Sequence, residues 1–82
     1  MTPEMIRAVQ LKAARALLRW NQDQLAEASG VGPATIKRME TREGSIGGYA
    51  EKVWKVQRAL EEAGIIFLDK DGVGGVGVRL KE

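Results

Sequence analysis

Residues 22–39 read QDQLAEASGVGPATIKRM, and the spacing of small and apolar residues in this stretch decides the fold. Gly30 stands where the chain must leave a first helix with positive φ, a conformation that glycine adopts without cost. Val31 follows as an apolar plug for a turn, and Pro33 suits the first position of a second helix. Leu25 and Ile36 fall where each helix must face a core. The stretch predicts two short helices that meet across a three-residue turn.

Two further positions in this stretch support the same arrangement. Met39 joins the apolar residues that face the core, and Ala26 is small where the two helices would cross most closely. Two helices joined in this way form a helix-turn-helix, whose second helix can enter the major groove of DNA. The sequence therefore predicts a DNA-binding protein.

The residues before this stretch predict a longer first helix, from Pro3 to about Leu18, with Thr2 as its N-cap. A wide apolar stripe is expected to face the core along it; its members are Ile6, Val9, Ala13 and Leu17, with Leu11, Ala14 and Leu18. Trp20 follows the stripe and is expected to belong to the core.

The second and third helices take their ends from local signals. Asn21 is a predicted N-cap, and Gln24 three residues later completes a capping-box pattern. Helix two is expected to end at Ser29, and helix three to run from Pro33 to about Thr41. The segment 42–48, REGSIGG, is a predicted loop because of its glycines.

The C-terminal part predicts one more helix and a β-hairpin. Helix four is expected from Tyr49 to Ala63, with Gly64 as its stop; its core positions would be Val53, Val56, Leu60 and Ala63, with Trp54 beside them in the core. The run 65–68 has strand character, the run 69–72 that of a turn, and Val76, Val78 and Leu80 alternate with Gly77 and Arg79 at the period of a strand.

Composition excludes several classes of function. The chain has 82 residues, enough for one small domain, and contains neither cysteine nor histidine. It therefore lacks disulfides, thiol chemistry, the commonest metal ligand and the commonest general base. We expect no enzyme activity, no cofactor and no metal site. No apolar run approaches the roughly 20 residues of a membrane span, and we expect a cytoplasmic, nucleoid-associated protein with no membrane partner.

Charge is mild but unevenly placed along the chain. Residues 1–42 carry seven Lys and Arg against four Asp and Glu, whereas residues 43–82 carry six against seven. The net charges of the two halves are thus +3 and −1. A basic N-terminal half suits a surface that faces phosphates.

The chain resembles the Cro/repressor type of helix-turn-helix, also called the XRE type, found in bacterial and phage regulators. The resemblance rests on Arg15-Ala16-Leu17-Leu18, Asn21-Gln22, Leu25-Ala26, Ser29-Gly30-Val31, Thr35-Ile36, Arg38-Met39-Glu40 and Ala59-Leu60-Glu61. The ending Ala63-Gly64-Ile65-Ile66-Phe67 with Gly77-Val78-Arg79-Leu80 also resembles small regulators of this type that carry a C-terminal hairpin.

This resemblance implies a role for particular residues. DNA contacts are implied at Asn21, Gln22, Pro33, Ala34, Thr35, Lys37, Arg38, Thr41 and Arg42. Asn21 and Thr41 match positions that hold phosphates, and Gln22 would bond the backbone or a base. Arg15 and Glu40 match a pair that usually forms a salt bridge between helices one and three. Asn21 is equally well explained as a helix cap.

The sequence departs from many relatives at Pro33-Ala34, where hydrogen-bonding residues are common. Neither side chain donates a hydrogen bond to a base edge, although Ala34 could contact a thymine methyl. Two alternatives to operator binding stay open: a helix-turn-helix that binds another protein, as an antiactivator or antitoxin subunit does, and a DNA-bending excision or accessory factor.

The predicted fold is all-α, a four-helix lambda-repressor-like helix-turn-helix domain with a short C-terminal β-hairpin. Residues 1–64 would form the DNA-binding domain. Residues 65–82 would form the hairpin, either as part of the same domain or as a dimerisation element. The expected function is transcription regulation by sequence-specific binding to double-stranded DNA, either repression by occupying an operator or direct assistance to a polymerase. The expected assembly is a homodimer.

Overall fold

A computed structural model describes residues 6–41 and 50–82, which form four helices and a two-stranded antiparallel sheet. The elements are α1 (Ala8–Leu18), α2 (Gln22–Ser29), α3 (Pro33–Thr41), α4 (Ala50–Glu62), β1 (Ile65–Leu68) and β2 (Gly77–Leu80). The predicted fold class, four helices followed by a hairpin, is confirmed. Within the described residues no helix has the length and apolar character needed to cross a membrane.

All four helices contribute side chains to one hydrophobic core. The largest fully buried side chains are Leu11 from α1, Leu25 from α2, Ile36 and Met39 from α3, and Val53, Val56 and Leu60 from α4. The residues predicted to face the core from α2 and α3 are therefore confirmed. Ala26, expected at the helix crossing, is also buried.

Both ends of α2 have the predicted chemistry. The Asn21 side-chain oxygen accepts a hydrogen bond from the Gln24 backbone N–H (2.7 Å), and the Gln24 side chain accepts one from the Asn21 N–H (2.8 Å). Gly30 ends α2 at φ 75°, and its N–H donates to the Ala26 carbonyl. Val31 is buried beneath the turn. These local signals fix where α2 begins and where it ends.

The start of α1 differs from the prediction. The helix begins at Ala8 rather than Pro3, and Arg7 has an extended backbone with φ −94° and ψ 159°. Gln10 explains the boundary because its side-chain oxygen accepts a hydrogen bond from the Arg7 N–H at 2.8 Å, as a helix cap does. Thr2 and Pro3, the predicted cap and first helical residue, lie outside the described residues.

The buried face of α1 also differs from the prediction. Of the expected stripe, Ile6, Leu11 and Ala14 are buried and Leu18 is half-buried, as predicted. Val9, Ala13 and Leu17 are exposed instead, and Ala8, which was not in the stripe, is buried. α1 carries apolar residues on both faces, so periodicity alone could not decide which face lies inward. Contacts with α3, α4 and β2 decide it.

Helix α4 follows its predicted pattern closely but not completely. Val53, Val56 and Leu60 are buried, whereas Ala63 lies just beyond the helix and is half-buried. Tyr49, its predicted start, lies outside the described residues, as does the predicted loop 42–48. Gly64 follows the helix with φ 108°, in agreement with its predicted role as the stop.

The two tryptophans differ in burial. Trp20 packs half-buried against the core, as expected. Trp54 is 52% exposed, so its predicted place in the core was wrong. Its position on α4 points away from the side that holds Val53 and Val56, and the Arg58 guanidinium lies over its ring, 5.7 Å from the centroid.

The predicted hairpin is confirmed, and its two strands pair with Ile65 opposite Leu80 and Phe67 opposite Val78. Ile65 is buried in the core, and Phe67 and Val78 pack against it. In the connection, the Asp71 carboxylate accepts hydrogen bonds from the backbone N–H groups of Val73 and Gly74, which lower the pKa of Asp71.

One buried side chain ties the hairpin to α1. The Gln10 amide nitrogen donates to the carbonyls of Leu68 (3.2 Å) and Gly77 (3.1 Å). These two residues pair with each other where β1 ends and β2 begins. The same side chain caps α1, and Gln10 is only 4% exposed. Gln10 therefore satisfies backbone groups of both the helix start and the hairpin.

We expect Gln10→Ala to lower the free energy of unfolding by about 1–3 kcal/mol, because it leaves two strand carbonyls and one N–H without their partner. Urea unfolding followed by circular dichroism measures the loss. Gln57→Ala is the matched control: it removes a weak, exposed hydrogen bond to Glu61 and should change stability by about 0.5 kcal/mol or less. An unchanged urea midpoint for Gln10→Ala would contradict this role.

Candidate nucleic-acid interface

Helix α3 presents a polar, cationic side to solvent and an apolar side to the core. Ile36 and Met39 are fully buried, and they hold the helix against α1 and α2. Four of the residues implied in DNA binding lie exposed along the helix: Pro33, Ala34, Lys37 and Arg38. The structure thus brings these four together on the outer surface of one short helix.

Thr35 lies differently from the expectation. It is only 8% exposed, because it falls on the same side of α3 as Ile36 and Met39. Its hydroxyl oxygen accepts a long hydrogen bond from Arg38 Nη2 at 3.5 Å. The Thr35 hydroxyl therefore contacts the Arg38 side chain, and it is not exposed on the outer surface of α3.

The position of α3 is fixed by an ion pair between Arg15 and Glu40. Arg15 Nε donates to Glu40 Oε2 at 2.7 Å, and Arg15 Nη2 donates to Glu40 Oε1 at 2.9 Å. The pair is bidentate, with side chains 21% and 4% exposed. Glu40, by accepting these hydrogen bonds, raises the pKa of Arg15 above its ordinary value. The paired side chains implied by the resemblance thus meet directly.

Two further groups complete the network around this ion pair. Arg15 Nη1 donates to the Trp20 carbonyl at 2.8 Å, which ties the end of α1 to the start of α2. Gln22 Nε2 donates to Glu40 Oε1 at 3.1 Å. Arg15 and Gln22 together thus hold the Glu40 carboxylate from two neighbouring helices.

The Gln22 contact was not anticipated from the sequence. Gln22 was expected to bond the backbone or a base, and in the structure its amide nitrogen bonds a carboxylate that also receives Arg15. The sequence offered only a weak signal for this contact: Gln22 is the first residue of α2, and Glu40 is a carboxylate that was expected to pair with Arg15. The consequence is that half-buried Gln22 is held in place where α2 meets α3.

Two further implied residues, Asn21 and Thr41, lie at the ends of helices. Asn21 is exposed, and its side-chain oxygen caps α2, so its alternative reading as a cap is confirmed. Thr41 is exposed at the end of α3, where its hydroxyl donates to the Arg38 carbonyl at 3.0 Å. Arg42 lies outside the described residues.

The charge on the outer side of α3 has one sign. Lys37 and Arg38 are its cations, and the one acidic residue of the helix, Glu40, is turned inward and paired with Arg15. A helix with two outward cations and no outward anion is suited to an anionic partner. Its chemistry fits phosphates and the acceptor groups of guanine.

We expect Glu40→Ala or Arg15→Ala alone to destabilise the fold by about 3–5 kcal/mol, because each leaves the other charge with its partner removed. Thermal and urea unfolding measure the change. Glu62→Ala is the control, since Glu62 pairs with Arg58 at 3.6 Å in an exposed position, and its loss should cost about 1 kcal/mol or less. Wild-type melting of either core variant would show that the ion pair does not hold the helices.

Comparison with known families agrees with this geometry. Residues 11–48 match the helix-turn-helix family model, a segment that contains α2, α3 and most of α1. No curated protein matches the chain at a significant level. The matched residues include the turn between α2 and α3. The domains of this family are DNA-binding and regulate transcription. Residues 11–48 are therefore similar to the helix-turn-helix family, in agreement with the resemblance to the Cro/repressor (XRE) type.

Proposed function

We propose that the protein is a transcription regulator that recognises a specific operator by placing α3 in the major groove. The observation that supports this most is the exposed row of Pro33, Ala34, Lys37 and Arg38 on a helix whose opposite side is buried. Because α3 cannot turn about its axis without exposing Ile36 and Met39, this row faces outward in one orientation.

Arg38 is the residue best suited to read a base. A guanidinium can donate two hydrogen bonds to O6 and N7 of guanine, the commonest specific contact in the major groove. Its neighbour Thr35 is buried, and the Thr35 hydroxyl accepts a long hydrogen bond of 3.5 Å from Arg38. We assign Arg38 to direct readout and Lys37 to the phosphate backbone.

Few side chains of α3 can form hydrogen bonds with base edges. Pro33 and Ala34 have no side-chain donor, so they can only pack, with Ala34 placed to contact a thymine methyl. Asn21, Thr41 and Arg42 are assigned to phosphates, and Gln22, held by Glu40, to the first base or its phosphate. With so few donors, part of the specificity must come from the shape of the operator.

We propose that the hairpin belongs to the same domain as residues 1–64. Its support is the burial of Ile65 in the helical core and the double hydrogen bond from Gln10 to Leu68 and Gly77. A hairpin bound in this way stabilises the domain that carries α3. It also leaves two large apolar side chains exposed, Leu80 on the hairpin (38%) and Trp54 on α4 (52%).

We propose that the protein binds its operator as a homodimer. One short recognition helix covers only a few base pairs, and two copies about one helical turn, ~34 Å, apart would read a palindrome. The contact surfaces are the outer side of the hairpin and the exposed side of α4, which include Leu80 and Trp54. Aromatic residues such as Trp54 are enriched at protein interfaces.

Selection of bound sites from random DNA should yield an operator, and Arg38→Ala should then relax preference at one base pair by about 1–3 kcal/mol. Lys37→Ala serves as the comparison, because loss of a phosphate contact weakens all sequences alike and lowers the salt slope by about one unit. Lys70→Ala, in the hairpin connection, is the charge-matched control. Equal losses on operator and random DNA for Arg38→Ala would assign Arg38 to phosphate instead.

Sedimentation of the protein with a selected duplex should show two protomers for each palindrome. The double variant Trp54→Ser with Leu80→Ser should weaken operator binding roughly tenfold or more, because the two protomers no longer bind together. Val73→Ser is the control, since Val73 is 98% exposed at the hairpin connection. A single protomer on each duplex at saturation would contradict the dimer.

A further inference from the structure

The solvent side of α1 is almost entirely apolar. Val9 is 59% exposed and Leu17 is 41% exposed, and the alanines between them, Ala13 and Ala16, are exposed as well. Residues three and four apart share one face of a helix, so these four form a single stripe. We name this stripe the α1 outer face.

An apolar outer face is unusual for a surface helix, whose solvent side normally carries charged and polar residues. α1 gives Leu11 and Ala14 to the core, and among the described residues no member of the α1 outer face belongs to that core. Contiguous exposed apolar residues of this kind mark an interaction site. The alanines in the middle allow another helix to approach closely, with Val9 and Leu17 about 12 Å apart on either side.

The charges beside the α1 outer face indicate which partner fits. The segment from Arg7 to Arg19 contains four basic residues and no acidic one. Arg15 is paired with Glu40, whereas Lys12 and Arg19 are exposed. Lys12 lies within α1 beside the stripe, and Arg19 follows the C-terminal end of the helix with a left-handed backbone, φ 57°.

We propose that the α1 outer face is a docking surface for an acidic amphipathic helix of another protein. The partner helix would lay an apolar stripe over Val9, Ala13 and Leu17, as amphipathic helices do in apolar grooves. Carboxylates along one edge of the partner would face Lys12 beside the stripe and Arg19 at the end of α1. This surface lies on a different helix from the row of α3 residues assigned to DNA.

A second copy of this chain fits the α1 outer face less well than an acidic helix does. In a two-fold interface the same patch meets itself, so every charge beside the α1 outer face would meet another cation. Like charges placed together in an interface oppose association. DNA is also a poor occupant, because a phosphate backbone leaves Val9 and Leu17 without apolar contacts.

The probe for this surface is a displayed library of short amphipathic helices with a fixed leucine stripe and edge positions varied among Glu, Lys and Ser. Selection against the full-length protein should enrich Glu along one edge. A selected peptide should lose at least about tenfold in affinity for Val9→Ser with Leu17→Ser, and for Lys12→Glu with Arg19→Glu. Val73→Ser with Lys70→Glu, in the hairpin connection, is the matched control and should bind like wild type.

The outcomes separate this proposal from operator binding. The Val9→Ser and Leu17→Ser variant should keep its melting temperature and bind random DNA as wild type does, because both residues are exposed and lie outside α3. Failure to select any helix, enrichment of Lys or Ser at the edge, or equal binding by both double variants would overturn the proposal. Conversion of a dimer to a monomer by the same variant would also overturn it, since the occupant would then be a second copy.

Discussion

The buried carboxylate of Glu40 fixes the position of α3, the proposed recognition helix, against α1 and α2. Glu40 is 4% exposed and accepts hydrogen bonds from two nitrogens of Arg15 on α1 and from Gln22 at the start of α2. Burying a charge is costly unless hydrogen bonds replace its water, and here three donors do so. Since Glu40 belongs to α3, the same contacts fix that helix against both neighbours. The outward direction of Lys37 and Arg38 depends on this network.

Apolar packing and the ion pair act on α3 together. Ile36 and Met39 fill the space between α1 and α2 but would tolerate small rotations, whereas a bidentate ion pair prefers one geometry. A domain of this size has a net stability of only about 5–10 kcal/mol, so the hairpin contacts through Gln10 and Ile65 matter to the whole fold. A rigid α3 lowers the ordering cost of binding DNA.

Local signals carried most of what the sequence predicted. Gly30, the Asn21–Gln24 capping pair and the alternation around Val78 each act within a few residues, so the turn and the hairpin followed from them. The start and inner face of α1, the exposure of Trp54 and the burial of Thr35 did not follow. Each depends on contacts distant in sequence, such as Gln10 with Leu68 and Gly77, or on a choice between two apolar faces of one helix.

The most direct test of a major-groove function for α3 is methylation interference on DNA selected by the protein. Methylation at guanine N7 blocks the acceptor that an arginine would use and leaves the minor groove unchanged. We expect interference at guanines in two clusters centred about one helical turn, ~34 Å, apart. Binding that is insensitive to N7 methylation at every guanine of the selected site would contradict recognition by Arg38 in the major groove.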